Sequence, residues 1–140
     1  MKPLMTRERK TDAPSGVTPF LEACRAALGA DRIQWGGDDA STGALPRNIV
    51  GIVEAATTGE VQTVVWLANR YGVPLSPVST GKNWGFGSAI PVKSGACLLS
   101  LRRMNRIREI NLTFGYAVVE PGVTQGDLAE ALQARQSLWA

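Results

Sequence analysis

The sequence predicts an α+β fold, a small mixed sheet with flanking helices, and three observations carry that expectation. An apolar, β-branched run at 49–53 is followed by a stretch with helical periodicity and then by a second apolar run at 73–78. This is a strand, helix, strand unit whose crossover length suits parallel pairing. Beyond residue 91 the pattern shortens into strand-length pieces separated by turn residues. Between the two regions lies Ser79-Thr80-Gly81-Lys82-Asn83-Trp84-Gly85-Phe86-Gly87-Ser88, a loop rich in glycine and hydroxyl residues that leaves the carboxyl end of the second run.

Length and composition bound the rest. With 140 residues the chain is one domain's worth of polypeptide, large enough to bury a core. Fifteen basic against 12 acidic residues leave a net charge of only +3, too little to indicate nucleic acid. There is no histidine, which removes imidazole base chemistry, histidine metal ligation and a histidyl covalent link from within this chain. The two cysteines, Cys24 and Cys97, stand among small or apolar neighbours and read as buried thiols in a reducing compartment, with no disulfide indicated. No signal-peptide core is present at the N-terminus and no run approaches ~18 apolar residues, so the expectation is a cytoplasmic protein without a membrane span.

Taken in order, residues 1–16 are charged and carry Pro3 and Pro14, which predicts a flexible leading segment. Thr18 is placed to cap a helix with Pro19 at its first position, and Phe20, Leu21, Cys24, Ala27 and Leu28 recur at helical spacing up to Gly29. Residues 30–47, with Gly36, Gly37, Asp38, Asp39, Gly43 and Pro46, read as an exposed connection. Asp38 and Asp39 have no regular ligand spacing, which favours a solvated turn over a metal site. Residues 17–47 thus form a helix and connecting loop ahead of the main unit at 48–140.

In that unit Ile49, Val50, Ile52 and Val53 make a strand, and Thr57 with Glu60 forms a capping box before Val61, Val64, Val65, Ala68 and Tyr71. Gly72 ends the helix, and 73–78 follows as a strand. Residues 96–101 are a mostly apolar strand, Ile107, Ile110 and Leu112 a short extended piece, and 116–120 another strand ending at Pro121-Gly122. Arg102, Arg103, Arg106 and Arg108 cluster without aromatic interleaving, which fits a solvated turn or a salt-bridged edge better than a nucleic-acid surface. Thr124 and Asp127 open a last helix reaching to about Ser137. Leu138 and Trp139 then read as the start of a further strand, which makes the end at Ala140 look like a truncation.

The loop at 79–88 reads as a phosphate or pyrophosphate cradle. Glycine adopts positive φ freely and lets a ligand approach the main chain, and successive N–H groups in such a turn suit an anion. A connection that only turns the chain has the same composition. Two familiar phosphate loops are excluded by position. Gly81-Lys82 is followed by Asn83, with Ser76 where a Walker A loop has its first glycine, and Gly85-Phe86-Gly87 runs on to Ile90 where the dinucleotide fingerprint has its third. Pro91 discourages a helix directly behind the loop, so the anion would be held between strands.

Several ordered motifs together carry a resemblance. Glu60-Val61-Gln62, Pro74-Leu75, the loop from Ser79 to Ala89, Leu101-Arg102-Arg103-Met104-Asn105-Arg106-Ile107 and Val119-Glu120-Pro121-Gly122-Val123-Thr124 resemble the first part of the PCMH-type FAD-binding domain of the vanillyl-alcohol oxidase and p-cresol methylhydroxylase family, most of all the 4-cresol dehydrogenase flavoproteins and alkylphenol oxidases. The resemblance runs from about Asn48 to about Leu138. It implies FAD as cofactor, with Ser79, Thr80, Gly81, Lys82, Asn83, Trp84 and Gly85 around the pyrophosphate and Pro121, Gly122 and Val123 as minor contacts beside the nucleotide. Trp84 and Phe86 read as packing residues ahead of flavin stacking, and Glu120 as a carboxylate that accepts backbone donors rather than a base.

What the resemblance implies for a full-length parent is oxidation of para-substituted phenols by hydride transfer to flavin. A phenolic substrate, and a homo-oligomeric or cytochrome partner, would belong to that parent. The family's substrate pocket and its covalent flavin attachment lie beyond position 140, so no catalytic residue is expected here and the chain alone is expected to be inactive. A non-catalytic module, binding a nucleotide or pairing with another chain through an open sheet edge, is the alternative from a different class.

Overall fold

The computed structural model describes residues 16–36, 49–81 and 91–135. The readings placed on the leading segment up to residue 15, on Asp38 and Asp39, on Lys82 to Gly87, and on Leu138 and Trp139 lie outside the described residues.

The first helix, α1, spans Val17–Leu28 and stops at Gly29. It starts two residues earlier than Thr18 and Pro19 suggest, with Gly16 as N-cap and no side-chain cap. Pro19 is tolerated because the first four N–H groups of a helix have no intrahelical acceptor. A short 3-10 turn, Ala30–Arg32, then leads into a strand, β1, Ile33–Trp35. This strand corrects the reading of the whole of 30–47 as a connection. Three residues are too few for an alternating pattern to register, and pairing rather than local sequence defines the strand: Ile33, Gln34 and Trp35 lie antiparallel to Val53, Ile52 and Gly51.

β2, Ile49–Glu54, is followed by α2, Thr58–Tyr71. The Thr57 hydroxyl accepts the Glu60 N–H at 3.2 Å, but the Glu60 carboxylate reaches past Thr57 to accept the Ala56 N–H at 2.6 Å. The box is therefore shifted by one donor and still satisfies two orphan amides. At the other end Gly72 takes a left-handed conformation, φ 67°, with its N–H on Asn69 O at 3.4 Å and the Val73 N–H on Ala68 O at 3.0 Å, a Schellman closure.

β3, Leu75–Val78, and β4, Ala96–Ser100, complete a four-stranded sheet ordered β1-β2-β4-β3. β2, β3 and β4 are mutually parallel. The strand, helix, strand unit is thus present, but its two strands are not neighbours, since β4 inserts between them. Composition explains the order. Pro77 cannot donate to a ladder, which suits an edge strand, whereas every residue of β4 is buried, as a central parallel strand must be.

α1 and α2 share one apolar cluster with this sheet, in which Phe20, Leu21 and Cys24 meet Val53, Val64, Leu67, Cys97 and Leu99. α1 and β1 therefore belong to the same core as the rest. Both cysteines are free and buried in it. Burial pushes the Cys24 thiol up to about 11, and burial first, then the neighbouring Cys24, pushes Cys97 up to about 12.

β5, Ile107–Asn111, and β6, Tyr116–Val119, form a separate antiparallel hairpin. Its turn is fixed by the Asn111 side chain, which accepts the Phe114 N–H at 2.9 Å. α3, Gln125–Gln133, ends earlier than Ser137 and opens with a complete capping box between Thr124 and Asp127. Among the described residues no helix is long and apolar enough to cross a membrane.

Candidate cofactor site

The three parallel strands end level with one another. Ser100, the last residue of β4, is in register with Glu54 at the end of β2 and Val78 at the end of β3. This is the carboxyl edge, where open parallel sheets place ligands. Ser79, Thr80 and Gly81 leave the sheet there, half-buried. The ladder closes beside them, with the Leu101 N–H on Val78 O at 2.8 Å and the Ala55 N–H on Ser100 O at 3.0 Å. Among the described residues, the N–H groups of Ser79, Thr80 and Gly81 have no acceptor.

Gly81 has φ 72°, and no described atom lies within 4 Å of where its Cβ would stand. An unbranched backbone with two hydroxyls and N–H donors that have no acceptor among the described residues fits a diphosphate, which offers only acceptors. One residue that sequence reasoning missed sits beside it. The Ser100 hydroxyl is buried without a hydrogen-bond partner. Its apolar neighbours in 96–101 hide it in the sequence, and only the register shows that it ends level with the loop.

An ion-pair frame fixes this edge. The Glu54 carboxylate holds Arg103 Nε at 2.6 Å and Arg102 Nε at 3.7 Å, so the segment after β4 is tied to the end of β2. Arg32 in turn reaches Glu60 at 3.4 Å and Asp31 at 3.4 Å, joining the 3-10 turn to the start of α2. Arg106 and Arg108 meet Glu120 at 2.9 and 2.8 Å. All four clustered arginines thus have carboxylate partners, which decides for a salt-bridged edge over a solvated turn.

Glu120 is buried and accepts the Arg106 backbone N–H at 2.9 Å as well as both guanidinium groups. The Arg106 side chain first, then its N–H, and then Arg108 hold its carboxyl at about 2, against the cost of burial. Such a group stays ionised and is unsuited to be a base. The adjoining turn is committed to the protein itself. The Gly122 N–H donates to Met104 O at 2.7 Å and the Val123 N–H to Glu120 O at 3.1 Å, while Pro121 is exposed and has no N–H. A Cβ at Gly122 would stand 2.5 Å from Arg102 O. The close approach that Gly122 permits is therefore to the backbone of 101–102, not to a cofactor phosphate, and this turn has no uncommitted N–H to offer one. Lys82, Asn83, Trp84 and Gly85 lie outside the described residues.

Comparison with known proteins shows the family. The family model described as FAD binding domain matches residues 50–140. The chain is similar to 1'-carboxy-chondrochloren decarboxylase of Chondromyces crocatus, 42% identical over 84% of this chain and 23% of that protein. It is likewise similar to the 4-cresol dehydrogenase [hydroxylating] flavoprotein subunit of Pseudomonas putida, 34% identical over 92% of this chain and 27% of that protein. Among solved structures, p-cresol methylhydroxylase with substrate bound superposes with a TM-score of 0.78 and 32% identity over 86% of this chain and 25% of that one. The chain spans about a quarter of the length of these relatives. With the matched span covering most of the sheet, the hairpin and α3, the chain belongs to the FAD binding domain family, with FAD as its cofactor and a fold like that of p-cresol methylhydroxylase.

Proposed function

We propose that this chain holds the diphosphate of FAD in the loop that follows β3, as the first part of a flavin-dependent oxidoreductase acting on para-substituted phenols. The observation that carries the reading is the set of N–H groups at Ser79, Thr80 and Gly81 that have no acceptor among the described residues, on the carboxyl edge of a parallel sheet and beside a Gly81 with no described atom within 4 Å of its Cβ position. The hydroxyls of Ser79 and Thr80 add donors, and Lys82, Asn83, Trp84 and Gly85 extend the cradle, with Lys82 adding positive charge. Pro121, Gly122 and Val123 contribute packing beside the nucleotide, since the two N–H groups of that turn are already bonded.

FAD supplies a two-electron acceptor when bound; the residues of this chain bind and orient it. The phenolic substrate is inferred from the names of the 4-cresol dehydrogenase subunit and p-cresol methylhydroxylase. The reaction belongs to the whole protein, as does any homo-oligomeric or cytochrome partner. The test is direct. The purified chain is mixed with FAD, desalted and scanned for the visible absorbance of oxidised flavin, which is expected to stay with the protein. Flavin lost from both this chain and a longer version carrying the following sequence would overturn the reading.

A second reading is favoured by exposed apolar surface. Phe114 is 80% exposed on the hairpin, and an apolar groove of about 520 Å³ runs between α2 and the edge strand β3. On this reading the chain is a binding or oligomerisation module that covers these surfaces with another polypeptide. Light scattering during gel filtration distinguishes the two, because a monomer at all concentrations removes the support for association.

A further inference from the structure

The Ser100 hydroxyl is the buried side-chain polar atom without a partner among the described residues. Ser100 is 2% exposed, and a hydroxyl taken out of water without a hydrogen bond lowers stability, so such an atom calls for a physical reason. The strand's alternation turns Cys97 and Leu99 into the helix-side core and Ser100 to the opposite face of the sheet. Glu54, level with it on β2, is engaged by Arg103 at 2.6 Å and Arg102 at 3.7 Å and leaves Ser100 unmatched. On its other side Ser100 is level with Val78, one residue before Ser79, and neighbouring strands stand about 4.8 Å apart. The unmatched hydroxyl therefore lies at the base of the loop whose N–H groups at Ser79, Thr80 and Gly81 are also uncommitted among the described residues.

We infer that Ser100 is a further cofactor-binding residue, whose hydroxyl donates a hydrogen bond to a diphosphate oxygen of the bound dinucleotide. The inference rests on the proposed function. A diphosphate carries acceptors only, and a serine hydroxyl has one proton to give, so the pairing satisfies an atom that the protein leaves unsatisfied. The contact exists only in the loaded state. That makes the hydroxyl a liability for the flavin-free fold and an asset for binding, a combination that a merely structural serine would not show.

The experiment compares the chain with its Ser100→Ala variant by two readouts, FAD affinity from quenching of flavin fluorescence and melting temperature without FAD. The expected result is an affinity about tenfold weaker in S100A, with a flavin-free melting temperature equal to or above that of the wild type. FAD binding of equal strength in the two proteins overturns this inference and leaves the proposed function standing. A flavin-free melting temperature that falls in S100A also overturns it, because the hydroxyl would then have its partner inside the protein. A wild-type chain that takes up no FAD overturns the proposed function and this inference with it. Ser100→Cys, which keeps volume but donates weakly, is expected to fall with S100A in affinity, so that lost packing is separated from a lost donor.

Discussion

Glu120 illustrates how a single side chain decides between structural and chemical roles. It stands at the end of β6, beside the turn that resembles a nucleotide contact, yet two arginines and a backbone N–H occupy its oxygens. Its carboxyl is held at about 2 against an ordinary 4.5, so the folded protein binds its proton later than the unfolded chain. The stability this contributes is fully present above about 4.5 and is lost as pH falls toward about 2. Melting temperature followed from pH 7 down to pH 2 is expected to fall through that window, and Glu120→Gln is expected to lower it at pH 7 and flatten the acid limb. An acid limb that is as steep in the variant as in the wild type would assign it to other carboxylates. The sequence places Glu120 as an acceptor of backbone donors, because a carboxylate at a strand end more often accepts such donors than acts as a base, and the Arg106 N–H is one of its partners. The reason for Gly122 is not legible there, since it depends on where the backbone of 101–102 passes. Ser100 is hidden for the same reason: a serine in an apolar strand looks like filler until the register is known.

Elements with long periodic patterns or strong stop signals are readable, and short ones are not. α2 shows its cap, its apolar face and its terminating glycine in sequence, and it forms between Thr58 and Tyr71 as those signals direct. β1 has three residues and exists because Ile33 to Trp35 pair with β2. The insertion of β4 between β2 and β3 is a tertiary choice that no local pattern encodes, although Pro77 in one strand and the apolar run at 96–99 in the other are consistent with it. α3 tests the weight of local signals most sharply. It has nine residues and none of them is buried, so its closed capping box carries a large share of its stability. Thr124→Ala is expected to cost about 1 kcal/mol locally and to speed amide exchange across 125–133 while leaving α2 protected. Exchange unchanged in α3 would mean that packing, not the cap, holds this helix.

For the molecule as a whole, residues ahead of the family match are part of the fold. Phe20 is fully buried in the cluster that joins α1 to α2 and the sheet. Phe20→Ala is expected to destabilise by about 3–5 kcal/mol in urea unfolding, a large fraction of the stability of an ordinary domain. A loss below about 1 kcal/mol would show that α1 is an appendage. The α+β class and the placing of the loop on the carboxyl edge were readable because a strand, helix, strand pattern fixes where such a loop must emerge. The central claim is that the backbone at Gly81 grips the diphosphate of FAD. Its most direct test is the FAD dissociation constant of the wild-type chain against Gly81→Val, whose branched side chain is strained at φ 72° and would stand in the open space beside the loop. The account predicts binding weaker by at least about tenfold in the variant, with far-UV circular dichroism unchanged. Equal dissociation constants in two equally folded proteins would contradict it.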